Sequence, residues 1–166
     1  MKRSKGFILI ETVVAAAVMS VFLTVMFEML IMFKGIYDRG ESDVEIQENA
    51  QILQQFVETR MQLCSQVINV RAEGERAKGW SEFEGGEIQK IRFKLETIEG
   101  EIYINSDTKK LFYRTDFYSP GYEFADYVSS MKAYKVDGGR GIRMVFRLER
   151  ENCGMDVDFT AYFRNV

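Results

Sequence analysis

The sequence predicts an α+β chain, a long N-terminal α-helix packed on a C-terminal antiparallel β-sheet. Three observations predict it. The 27 residues from Phe7 to Phe33 are almost all apolar. Residues 43–70 repeat apolar side chains at spacings of three and four, the period of an amphipathic helix. Beyond residue 90 the period falls to two, with turn residues between the runs. The mean hydropathy of −0.18 averages over these unlike parts and describes neither.

Between Phe7 and Phe33 only Glu11, Thr12, Ser20, Thr24 and Glu28 are not apolar. As a helix this run rises about 40 Å, enough to cross a hydrocarbon core of about 30 Å. Lys2, Arg3 and Lys5 stand directly before it with no acidic residue among them. By the positive-inside rule that end stays in the cytoplasm and the chain after Lys34 lies outside. A secretory signal peptide needs a shorter apolar region and a small-residue cleavage site. The run is too long, and it ends Met29-Leu30-Ile31-Met32-Phe33. A plain membrane anchor fits the length and leaves Glu11 unexplained. A charged side chain at the centre of a membrane helix costs about 2.5–3.5 kcal/mol, and intramembrane carboxylates are functional candidates by default.

Lys5-Gly6-Phe7-Ile8-Leu9-Ile10-Glu11 resembles the cleavage and methylation signal of type IV prepilins and of type II secretion pseudopilins. The resemblance implies a basic leader, Lys2, Arg3 and Lys5, ending in Gly6. It implies cutting between Gly6 and Phe7 by a membrane prepilin peptidase, with N-methylation of Phe7. It also implies an assembly role for Glu11, the fifth residue of the mature chain. The chemistry suits those residue types. Gly6 lets an extended backbone lie close against a protease. Cleavage leaves an ammonium on Phe7 near lipid, where a lone charge is costly unless paired. Glu11 of a neighbouring subunit is the implied partner. One departure stands out. Major pilins usually carry a proline in the middle of this helix, whereas the only proline here is Pro120.

The organisation expected is a leader at residues 1–6, a transmembrane and assembly helix at 7–33, an amphipathic continuation at 34–72, and an extracytoplasmic β-rich domain at 73–166. Gly35 and Gly40 each weaken a helix by about 1 kcal/mol relative to alanine. They leave open a break with a new N-cap at Ser42 or Asp43. Beyond them Ile46, Ala50, Leu53, Val57, Met61, Cys64 and Ile68 form one stripe, widened by Ile52, Phe56, Leu63, Val67 and Val70. A stripe this broad must lie on a sheet rather than in a coiled-coil seam.

Residues 71–79 are charged, contain glycine and read as a loop. Ile91, Phe93 and Leu95 then alternate with Arg92, Lys94 and Glu96. Residues 101–104 lead to a turn at Asn105-Ser106-Asp107 and residues 110–114 lead back. Residues 118–121 turn, and 128–136 are extended. Residues 137–141 carry a hairpin signal. Ile142, Met144, Phe146 and Leu148 share one face, as do Met155, Val157, Phe159, Ala161 and Phe163, with a turn at Asn152-Cys153-Gly154 between the two runs. Such alternation describes antiparallel strands with one buried face. The run Lys110–Arg114, a strand around Val128 and a hairpin ending Phe163-Arg164-Asn165 are similar to the J-type minor pseudopilins and PilW-like minor pilins.

Cys64 and Cys153 fall outside the cytoplasm on this reading, where disulfides persist. A bridge would close a loop of about 90 residues, worth about 4 kcal/mol in the chain-entropy account. Two separate thiols are the alternative. Asp156 and Asp158, with Asp137 or Glu151, are oxygen ligands of the kind calcium takes, or a solvated strand face. The dense aromatics Tyr103, Phe112, Tyr113, Phe117, Tyr118, Tyr122 and Phe124 read as core and partner surface. Gly138-Gly139-Arg140-Gly141 reads as a turn, since no helix follows it to make a phosphate cradle.

At 166 residues the chain suffices for one domain with a real core. It has no histidine, so Ser-His-Asp and Cys-His catalysis and histidine metal sites are excluded. A net charge of −3 argues against a nucleic-acid-binding domain. No catalytic constellation appears, and no cofactor is expected. The expectation is a minor pilin or minor pseudopilin of a pilus, type II secretion or competence system. Its implied partners are prepilin peptidase, other major and minor pilins or pseudopilins, the inner or cytoplasmic membrane, and the assembly platform. The alternative is an uncleaved, single-pass, membrane-anchored binding or sensing module.

Overall fold

The computed structural model describes residues 5–116, 118–151 and 153–164, with side chains from residue 8 onward. Among the described residues one α-helix, α1, spans Lys5–Gln62, and ten strands follow it. Gly35 and Gly40 both sit inside α1, so neither breaks the helix. The chain divides into two units, Met1–Glu41 and Ser42–Val166.

In the first unit every described side chain is exposed, from Ile8 to Glu41. This segment is long and apolar enough to cross a membrane.

In the second unit α1 is amphipathic. Ile46, Ala50, Leu53, Val57 and Met61 repeat every three or four residues and are buried. The stripe is narrower than its sequence suggests, because Ile52 and Leu63 are exposed. The helix also ends earlier than expected. After Gln62, residues Cys64–Arg71 form strand β1 rather than two further helical turns. The reason lies in the pairing of β1 with β4 (Lys90–Leu95). The register slips between Cys64 and Gln66 and again between Val67 and Asn69. Each bulge adds a residue, so the buried positions Cys64, Val67 and Val70 recur every three residues. Twice-bulged, a strand reads as a helix. The β-rich part therefore begins at Cys64 and not at residue 73.

The strands are β2 (Lys78–Gly79), β3 (Gly86–Glu87), β5 (Ile98–Asn105), β6 (Lys110–Arg114), β7 (Tyr122–Ala125), β8 (Val128–Val136), β9 (Gly141–Arg150) and β10 (Cys153–Tyr162). They make two antiparallel sheets, in orders β2-β1-β4-β5-β6-β7 and β10-β9-β8-β3. Local chemistry sets the turns. The Asn105 side-chain oxygen accepts the N–H groups of Asp107 and Thr108 at 3.1 and 3.3 Å, an Asx turn between β5 and β6. Asp137, Gly138 and Gly139 all take positive φ in a 3₁₀ turn between β8 and β9. The sheets are tied where Ile88 donates its N–H to Met131 O at 2.8 Å and Gln89 donates to Arg71 O at 2.7 Å.

One core joins the helix to both sheets. Leu53, Val57 and Met61 enter it with Ile91, Phe93 and Ile102 of one sheet and Met131, Met144 and Phe146 of the other. Phe56 stacks on Phe124 with ring centroids 4.3 Å apart. Polar contacts fix the helix near Ser42. Asn49 Oδ1 accepts the Asp126 N–H at 3.1 Å, the Tyr127 hydroxyl donates to Glu45 at 3.0 Å, and Arg150 pairs with Glu45. The result is an α+β, pilin-like fold, a long N-terminal helix packed on C-terminal antiparallel β-structure.

Candidate functional site

The first candidate is the apolar segment of α1. Its hydroxyls are satisfied inside the helix. Thr12 Oγ1 donates to Leu9 O at 2.9 Å, Ser20 Oγ to Ala16 O at 2.6 Å, and Thr24 Oγ1 to Ser20 O at 2.9 Å. Such back-bonding removes the cost of placing a hydroxyl in an apolar medium. Glu11 and Glu28 are the remaining polar side chains of the run. Both are exposed, and neither has a partner among the described residues. The segment thus offers an apolar surface carrying two exposed carboxylates. Lys2 and Arg3 lie outside the described residues. The backbone of Lys5, Gly6 and Phe7 forms the start of α1, and their side chains lie outside the described set.

The cysteines do not come together. Cys64 opens β1, and its carbonyl accepts the Arg164 N–H at 3.0 Å, beyond the last residue of β10. Cys153 is the first residue of β10. At about 3.3 Å per residue the strand holds the two roughly 30 Å apart. A disulfide requires Cα atoms within about 7 Å. The bridge weighed from sequence is therefore incompatible with this fold, and the two cysteines do not bridge. Burial pushes the Cys64 thiol up to about 11, which leaves it protonated and unreactive.

Asp156 and Asp158 resolve as a wet strand face. Asp156 meets Arg147 Nη1 at 3.2 Å, and Asp158 takes Arg143 Nε and Nη2 at 2.9 and 2.5 Å. Hydrogen bonding from Arg143 holds the Asp158 carboxyl below its usual value. Asp137 lies in the 3₁₀ turn, and no group of three metal-ligating side chains occurs among the described residues.

Two features were not singled out from the sequence. One is Glu101, a fully buried carboxylate on β5. It is gripped by Arg92 Nη2 at 3.2 Å, Lys90 Nζ at 3.1 Å and Arg114 Nε at 2.8 Å. Register creates this cluster, since Arg92 and Arg114 stand directly opposite Glu101 on the two flanking strands. Tyr103, next on the same face, stacks on Phe112 and lies under the Lys90 and Arg114 cations. Alternation in β4 placed Arg92 and Lys90 on the polar face. Nothing in the sequence alone supplied the register.

The other is a groove of about 420 Å³ lined by Arg60, Leu63, Leu95, Glu96, Thr97, Ile98, Tyr113 and Thr115. Leu63 is 41% and Ile98 55% exposed. Arg60 lies over the rings of Phe56 and Tyr113, at 5.1 and 5.2 Å from their centroids, and has no carboxylate partner among the described residues. Burial pushes the Tyr113 phenol up despite that cation, a sign of a poorly solvated floor.

Compared with known proteins, the chain matches no family model, no curated protein and no solved structure.

Proposed function

We propose that this protein is a minor pilin or minor pseudopilin, a structural subunit of a type IV pilus, a type II secretion pseudopilus or a competence pseudopilus. In this reading Lys2, Arg3 and Lys5 stay in the cytoplasm. Prepilin peptidase cuts between Gly6 and Phe7 and methylates the new terminus. The mature chain then leaves the bilayer for a filament or its initiating complex, with other pilins or pseudopilins as neighbours and the membrane assembly platform as its exit. The β-rich unit stands outside the cytoplasm.

One observation carries the reading. A helix whose first described 34 side chains are all exposed holds Glu11, without a partner among the described residues, five residues after Gly6, and the same helix buries its later apolar face on antiparallel sheets. A plain anchor needs the apolar length and has no use for the carboxylate at that spacing. An assembling helix needs both: apolar surface to pack on its copies, and a carboxylate to meet the ammonium that cleavage exposes.

Co-expression with a prepilin peptidase tests the reading by intact mass. The expected product lacks Met1–Gly6 and begins at Phe7 with an added methyl group. An unchanged mass in the presence of an active peptidase supports the competing reading, an uncleaved anchored binding module.

A further inference from the structure

The groove at the end of α1 carries both members of an ion pair without letting them meet. Arg60 marks its Tyr113 side. Glu96 marks the other, at the tip of the β4–β5 hairpin, where a positive φ of 41° projects it beside Arg164. Glu96 is loosely held there, 3.6 Å from Arg164, with its side chain 76% exposed. Leu63 and Ile98 are the exposed apolar groups of the same groove.

A half-buried guanidinium over two aromatic rings, without a carboxylate, is an incompletely compensated charge. The acid that would complete it belongs to the same patch. A patch with a cation on one flank, an apolar centre and an acid on the other flank is self-complementary under a two-fold rotation. That is the requirement for an isologous contact, in which residue i meets j and j meets i. We infer that this surface is a homodimer contact, in which Arg60 of each copy pairs with Glu96 of the other while Leu63 and Ile98 close over the shared axis. The contact lies wholly in the Ser42–Val166 unit and does not depend on the assembly reading.

Cysteine cross-linking of the full chain in membranes tests the inference. A Cys153→Ser background removes the accessible native thiol, and the buried Cys64 stays. Ile98 near a two-fold axis meets its own copy, so Ile98→Cys is expected to give a doubled-mass product on mild oxidation. Asp107→Cys, in the turn at the far end of β5, is expected to give at least tenfold less. Arg60→Glu and Glu96→Arg are each expected to cut the Ile98→Cys product at least tenfold, and the double exchange to restore it. Circular dichroism of each variant is expected to match the parent, which keeps loss of folding from mimicking loss of contact. No doubled-mass product from Ile98→Cys overturns the inference. So does equal cross-linking at Asp107→Cys, failure of the double exchange to restore, or a product joining the chain to a different protein.

Discussion

Arg114 grips Glu101 twice, through Nε at 2.8 Å and Nη2 at 2.5 Å, and does so from the position directly opposite on the neighbouring strand. Arg92 completes the row from the other side. The carboxylate is fully buried, and the three cations are 19–33% exposed. Removing the acid therefore takes away the carboxylate that three positive groups share on one face of a sheet. Breaking such a pair from one side costs about 3–5 kcal/mol, since the remaining charges keep their desolvation penalty. Glu101→Ala is expected to lower unfolding stability by that order in a urea titration. A change under about 1 kcal/mol would mean that water replaces the carboxylate freely.

The same cluster sets an acid limit. Burial pushes the Glu101 carboxyl up, and hydrogen bonds from Lys90 and Arg114 more than reverse it, so its folded value lies below the ordinary one. A group depressed in the folded state contributes stability that is complete above its unfolded value of about 4.3 and is lost as pH falls through the folded value. Stability is thus expected to be flat in this respect from pH 7 to about 5 and to decline below about 4.3. Glu101→Gln is expected to remove that part of the decline. Urea midpoints of both proteins between pH 7 and pH 3 make the comparison. Parallel curves would assign the acid sensitivity elsewhere.

The position of Cys64 predicts its chemistry. Its side chain is fully buried and its thiol is pushed up to about 11, whereas Cys153 is partly exposed at the start of β10. Thiolate is the reactive form, so at pH 8 Cys64 is expected to be inert in the native protein. A thiol-reactive dye is expected to label one site natively and two in denaturant. The intact mass of protein prepared without reductant is expected to equal that of two reduced cysteines. A mass lower by two hydrogens with no native labelling would contradict the separation imposed by β10.

The buried face from Ile46 to Met61 is legible in the sequence because a helix repeats its contacts every three to four residues and no tertiary pairing alters that period. The end of the helix is not legible. Cys64, Val67 and Val70 continue the helical spacing, and only the pairing of β1 with Lys90–Leu95 shows that two bulges produce it. The hairpins from residue 137 onward are legible, since Ile142, Met144, Phe146 and Leu148 alternate cleanly and all four are buried. Glu101 reads as one more polar residue beside Ile102. Its burial depends on which residues of two other strands face it, and pairing register is not a local property. Ile52 and Leu63 mislead for a related reason. They extend the apolar stripe in sequence, yet the sheets cover only its centre.

Glu11 is the residue on which assembly is expected to turn. It is exposed in an apolar helix, and the hydroxyls around it donate to their own backbone, so among the described residues none of them donates to the Glu11 carboxylate. A charge-assisted contact of this kind is worth about 1.5–3 kcal/mol, or about 10- to 100-fold in an equilibrium. Glu11→Leu makes the segment more apolar, so membrane insertion and cleavage after Gly6 are expected to persist. The share of processed subunit recovered in sheared filaments is expected to fall by that 10- to 100-fold. The measurement belongs in cells that carry the chain's own assembly machinery, with immunoblots of membrane and filament fractions. Glu28→Leu in parallel separates a general effect of removing charge from the specific one. If both variants lose incorporation equally, apolar packing rather than the Glu11 carboxylate governs entry. If Glu11→Leu enters filaments like the parent, the carboxylate has no part in assembly.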